Sequence, residues 1–136
     1  AKFVIDFKQK SPETKIRLMG HSLGAHVILS TIKNLAKNTK NKGIIEAVYL
    51  FGGSIPSDAL SAKNALYVQK IVSKKIRNYY SPHDEVLRVV DDWNWVNTPI
   101  GYKGAHGKTI PKYSQTMVKP KNHRFASYAA VLRSFP

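Results

Sequence analysis

Ser22 stands in the run Gly20-His21-Ser22-Leu23-Gly24-Ala25, with a glycine two residues away on either side. A serine hydroxyl is a poor nucleophile at neutral pH. It becomes useful when it is exposed, paired with a base, and when that base is oriented by a third group. Small residues on both flanks suit a sharp, strained turn with closely approaching backbone. Leu23 would open the following helix, so its backbone N–H is the expected donor to the oxyanion of a tetrahedral intermediate. The plainer reading is that Ser22 only caps a helix after a glycine-rich turn. Of the five histidines, His21 and His26 lie within the run and the helix after it, where packing or hydrogen-bonding roles are expected. His83, His106 and His123 remain as bases, with Asp58, Asp84, Glu85, Asp91 and Asp92 as acids. The chain has no cysteine, which excludes disulfides, thiolate catalysis and zinc–cysteine sites.

The elements that must position these groups follow from periodicity. Residues 1–8 read as a helix, broken by Ser11-Pro12-Glu13. Ile16, Leu18 and Met19 form a short apolar run ending at Gly20, as a buried strand does. After Ser22, apolar residues recur at spacings of three and four, which predicts a helix to about Lys37. Residues 44–51 are almost continuously apolar and stop at Gly52-Gly53, the pattern of a strand covered on both faces. A helix is expected over 57–73, a strand over 76–80, a long loop over 91–112, a weak strand over 115–118 and a short helix over 125–132, with Phe125, Ala129 and Leu132 on its apolar side. Alternating strands and helices predict an α/β fold: a mostly parallel sheet of about four strands with flanking helices. In that class ligands bind at the carboxyl ends of the strands. Trp93, Trp95, Pro99, Ile100 and Tyr102 make an apolar patch in the long loop. Trp93, Trp95 and Tyr102 are candidates for a substrate pocket, and plain core is the equal alternative.

Residues 20–25 resemble the nucleophile elbow of lipases and esterases in the α/β-hydrolase superfamily, and the strands over 46–53 and 76–84 fall in the order that family uses. The resemblance is specific at the elbow. It implies an α/β-hydrolase-like sheet and a serine, acid, histidine chain order, with the acid after a later strand and the histidine after the last. On that template Asp84 is the acid and His123 the base, with Asp58 and His106 as alternatives. The implied reaction is hydrolysis of a small-molecule or lipid ester, which requires neither a metal nor an organic cofactor. Ser81, Pro82 and Asp84 also read as an acidic helix-capping arrangement.

The chain of 136 residues is 43% hydrophobic and 22% charged, a globular composition for one domain. No signal peptide or membrane-spanning stretch is visible in it. Its 22 Lys plus Arg against 8 Asp plus Glu give a net charge of +14, which attracts anions. The alternative function is therefore a non-catalytic domain whose basic surface binds nucleic acid or an anionic membrane. About fifteen residues precede the first strand, fewer than the resemblance requires, and the chain supplies no second oxyanion donor. The domain is thus expected to be incomplete on its N-terminal side, with an upstream segment or another chain completing the sheet.

Overall fold

The computed structural model describes residues 1–93 and 97–134. Four strands, β1 (Arg17–His21), β2 (Ile45–Phe51), β3 (Val72–Tyr80) and β4 (Tyr113–Met117), pair in parallel in the order β1-β2-β3-β4. The α/β fold with four parallel strands is therefore as expected. Every residue of β2 is buried, which accounts for its apolar run. Its one charged residue, Glu46, is matched by Arg17 at 2.7 Å and Lys74 at 3.1 Å.

Helices α1 (Lys2–Lys10), α2 (Gly24–Leu35) and α3 (Leu66–Ile71) share one face of the sheet. Val4, Ile28, Ile32 and Val68 pack there with Val48, Leu50 and Ile76 in a single core, and Leu18 packs against it. The opposite face is smaller. Ala47, Tyr49, Phe51 and Tyr79 meet Val118 and Tyr128, the last from α6 (Phe125–Ala130), with Phe51 and Tyr79 stacked at 5.0 Å.

Three departures from the sequence pattern have physical causes. The helix expected over 57–73 is confined to α3, and β3 already begins at Val72. Residues 57–62 bond instead across to the loop after β3: His106 N–H donates to Ser57 O, Ala62 N–H to Lys108 O and Ile110 N–H to Leu60 O. Ser61 Oγ also accepts from Asn64 N–H, a local bond that competes with helix. α4 (Glu85–Asp92) stands between β3 and the expected long loop, where the sequence pattern predicts no helix, and the loop itself holds α5 (Ile100–Lys103). In α6 the buried residue is Tyr128, which shares the side of the helix with Phe125, Ala129 and Leu132, whereas Phe125 is exposed and Ala129 and Leu132 are half-buried.

Candidate active site

Ser22 follows β1 directly and has φ +54, a left-handed conformation uncommon for a residue with a side chain. Its backbone is held from two sides, since Ser22 N–H donates to Phe51 O and Ser22 O accepts from Ser54 N–H. The turn is crowded at position 20, where a Cβ would stand 2.6 Å from Ile28 Cδ1, the movable end of a side chain, and 3.1 Å from the Gly24 carbonyl. The expectation that Gly24 is equally constrained is corrected: nothing lies within 4 Å of a Cβ there.

The loop between β4 and α6 brings His123 over this turn. His123 Nε2 lies 2.8 Å from Ser22 Oγ and Nδ1 lies 2.6 Å from Asp84 Oδ2. With Asp84 ionised, Nδ1 carries the proton and Nε2 is the acceptor for the serine hydroxyl. Asp84 is both the N-cap of α4 and the partner of His123. Its Oδ1 accepts from Leu87 N–H at 3.0 Å while Oδ2 meets the imidazole. The capping of α4 and the bond to His123 are therefore made from one placement, shared between the two oxygens. Burial opposes ionisation of Asp84 most strongly, but donors on His123, Tyr128 and the Leu87 amide together outweigh it and hold the carboxyl below its ordinary range.

Two further residues complete the arrangement. The buried Tyr128 hydroxyl donates to Asp84 Oδ2 at 2.5 Å, and burial together with the carboxylate pushes the phenol well above its ordinary value. Gly52, at φ +54, leaves room for it, since a Cβ there would stand 2.8 Å from the Tyr128 hydroxyl. His21 Nε2 donates to the His123 carbonyl oxygen, and burial keeps the His21 imidazole below its usual value and so neutral at pH 7. This is the hydrogen-bonding role expected for His21. Tyr128 stands three residues after Phe125 and four before Leu132, on the apolar side of its helix, where a tyrosine reads as packing and nothing local marks it as a partner of Asp84.

The match of this chain to known sequences is at family level. The family described as "Protein of unknown function (DUF726)" matches residues 4–100. The chain belongs to the DUF726 family. The matched residues of this DUF726 domain include Ser22 and Asp84, and His123 lies beyond them. A transmembrane and coiled-coil domain-containing protein of Oryza sativa subsp. japonica is 32% identical over 74 residues, and an uncharacterized membrane protein of Caenorhabditis elegans is 37% identical over 73 residues. Each match covers 54% of this chain and 11% of the relative's length. No solved structure matches the sequence. Among the described residues of the DUF726 domain, no helix is long and apolar enough to cross a membrane, and no cluster of His, Cys, Asp and Glu is arranged to hold a metal.

The remaining candidates lie elsewhere. His106 is exposed on the loop that pairs with residue 57, and Asp58 is exposed on the turn facing it. Neither hydrogen-bonds to Ser22, His123 or Asp84. Leu23 is the N-cap of α2, with its side chain 70% exposed and its amide among those that precede the first intrahelical acceptor. Of the apolar patch, Ile100 is core, its N–H donating to Ile55 O. Trp93 ends α4 and is exposed, Tyr102 lies half-buried under the Lys103 ammonium, and Trp95 falls outside the described residues.

Proposed function

We propose that this domain is the catalytic part of a serine ester hydrolase of the α/β-hydrolase type. The observation that carries the reading is the continuous chain from Ser22 Oγ through the His123 ring to Asp84, at 2.8 and 2.6 Å. Ser22 attacks the ester carbonyl while His123 Nε2 takes the hydroxyl proton. The Leu23 N–H, at the positive end of the α2 dipole, faces the developing oxyanion. His123 then returns the proton to the departing alkoxide, and water hydrolyses the acyl-enzyme by the reverse proton path. Asp84 holds the Nδ1–H tautomer and stabilises the imidazolium. The strained turn at Ser22 supports the reading further, because a residue that only capped a helix would have no need of φ +54.

A fluorophosphonate probe tests this on the full-length protein. Labelling at Ser22 that is lost in His123→Ala is the expected result, and undiminished labelling of Ser22→Ala overturns it. Binding of DNA or anionic vesicles that weakens with salt, is unaffected by Ser22→Ala and is unaccompanied by ester turnover would favour the charge-based alternative instead. That alternative draws on the net charge of +14 and on a cavity of about 460 Å³ between β3, β4 and the C-terminal segment, lined in part by Arg77 and Arg133.

A further inference from the structure

β3 lies between β2 and β4, and Arg77 sits near its middle, opposite Tyr49 on one side and Ser114 on the other. Tyr79, two residues on, belongs to the smaller core cluster with Tyr49, so side-chain alternation turns Arg77 to that same face. A charge on an interior strand is costly unless it is paired. The Arg77 Nε–H is buried and donates to no group among the described residues. Nor does any carboxylate of the described residues stand within ion-pair distance of it: Glu46 meets Arg17 and Lys74, Asp84 meets His123 and Asp91 meets Lys103.

Arg77 lines the cavity of about 460 Å³ together with Arg133, which follows α6 and also has no carboxylate partner among the described residues. Thr116 of β4 and Ser134 bring hydroxyls to the same lining, Tyr79 and Val118 form part of its apolar wall, and no acidic residue lines it. A neighbouring cavity of about 330 Å³ shares Ser134 and gathers Arg17, Lys74 and Lys75 around Glu46 alone, so the positive charge extends beyond the first cavity. Two guanidinium groups facing one space repel each other unless an anion stands between them. Their paired N–H groups match the oxygens of a phosphate, and a phosphate monoester, close to doubly charged at pH 7, balances both arginines.

We infer that this cavity binds a phosphate monoester, with the phosphate held between Arg77 and Arg133 and the substituent against Tyr79 and Val118. Thr116 and Ser134 donate hydroxyl hydrogen bonds to the remaining oxygens. None of Ser22, Asp84 and His123 lines the cavity, so the inference is independent of the proposed hydrolysis. A cavity that takes one phosphate with one substituent also differs from a basic surface that tracks a polyanion. Soluble phosphoesters and phosphatidic acid carry the same monoester group, and competition separates the two sources.

Calorimetric titration of the full-length protein with inorganic phosphate, at constant ionic strength, tests it. Saturable binding that weakens roughly ten-fold or more in Arg77→Met and in Arg133→Gln is the expected result. Arg133 is exposed, so its variant keeps the test decisive even where Arg77→Met fails to fold. Binding that does not saturate, or that is unchanged in Arg133→Gln, is a response to the net charge of +14 and overturns the inference. Displacement of the phosphate by glycerol 3-phosphate supports the site and identifies a soluble phosphoester. Displacement by phosphatidylcholine vesicles carrying phosphatidic acid, and not by glycerol 3-phosphate, supports it and identifies a lipid headgroup. Displacement by neither, or by double-stranded DNA alone, overturns it.

Discussion

Tyr128 and His123 share one oxygen of Asp84: Oδ2 accepts from the phenol at 2.5 Å and from Nδ1 at 2.6 Å, while Oδ1 caps α4. The carboxylate is thus fixed at both ends by groups from two distant parts of the chain. Tyr128→Phe removes one donor to a buried carboxylate and should cost about 2 kcal/mol at pH 7. Asp84 titrates below its ordinary value, so its contribution is full above the unfolded-state pKa and disappears as pH falls through the folded-state value. The urea midpoints of Tyr128→Phe and the parent should therefore converge in acid. A gap that stays constant with pH would show that the phenol acts through packing alone.

Asp84→Asn and Asp84→Ala separate the two uses of this side chain. Both remove the anion facing His123 and should slow fluorophosphonate labelling of Ser22 by roughly a thousand-fold or more. Asn retains an acceptor for Leu87 N–H, so Ala should be less stable than Asn by about 1 kcal/mol. Equal unfolding midpoints for the two variants would remove the capping role.

Ser22 at φ +54 predicts an inversion of the usual order of helix-forming residues. Ser22→Gly should be more stable than Ser22→Ala by about 1 kcal/mol, because a Cβ is disfavoured in this conformation, and neither should be labelled. Thermal unfolding of the two proteins measures the difference.

The two glycines of the elbow should respond oppositely to alanine. Gly20→Ala places a methyl 2.6 Å from Ile28 Cδ1 and close to backbone of Gly24, and should cost about 1–3 kcal/mol. Gly24→Ala meets nothing and opens a helix, so it should be neutral or stabilising by up to about 1 kcal/mol. Chemical denaturation of the pair checks both signs.

Glu46, hydrogen-bonded by Arg17 and then Lys74, titrates at about 2. Its contribution to stability is complete above the unfolded-state carboxylate range and is lost as pH falls from about 4.5 toward 2. Glu46→Gln should flatten that part of the stability profile measured by urea titration, and an unchanged profile would assign the acid transition to other groups.

The elements legible in the sequence were those whose pattern is local. The apolar run of β2 and the three-and-four spacing of α2 reflect burial by the sheet and its helices, and both appear where the pattern places them. Residues 57–62 failed as a helix because Ser57, Leu60 and Ala62 take backbone partners at His106, Ile110 and Lys108, more than forty residues away in sequence. No window of local periodicity contains that information. α4 was hidden because its only buried residue is Leu87 and its start is marked by Asp84, which reads equally as an acid and as a cap.

Ser22 is where the sequence alone reached furthest, since an elbow is a run of five consecutive residues and the crowding at Gly20 comes from nearby in the chain, the Gly24 backbone and the Ile28 side chain. The partners of Ser22 depended on resemblance to a family until the fold brought His123 to it across 101 residues of sequence. Only the parallel register of β1 to β4 aligns the ends of these strands, so that the loops after β1, β3 and β4 deliver Ser22, Asp84 and His123 to one place. The tertiary structure likewise decided Tyr128, because a buried hydroxyl is recruited by the carboxylate it meets and not by its neighbours in the chain.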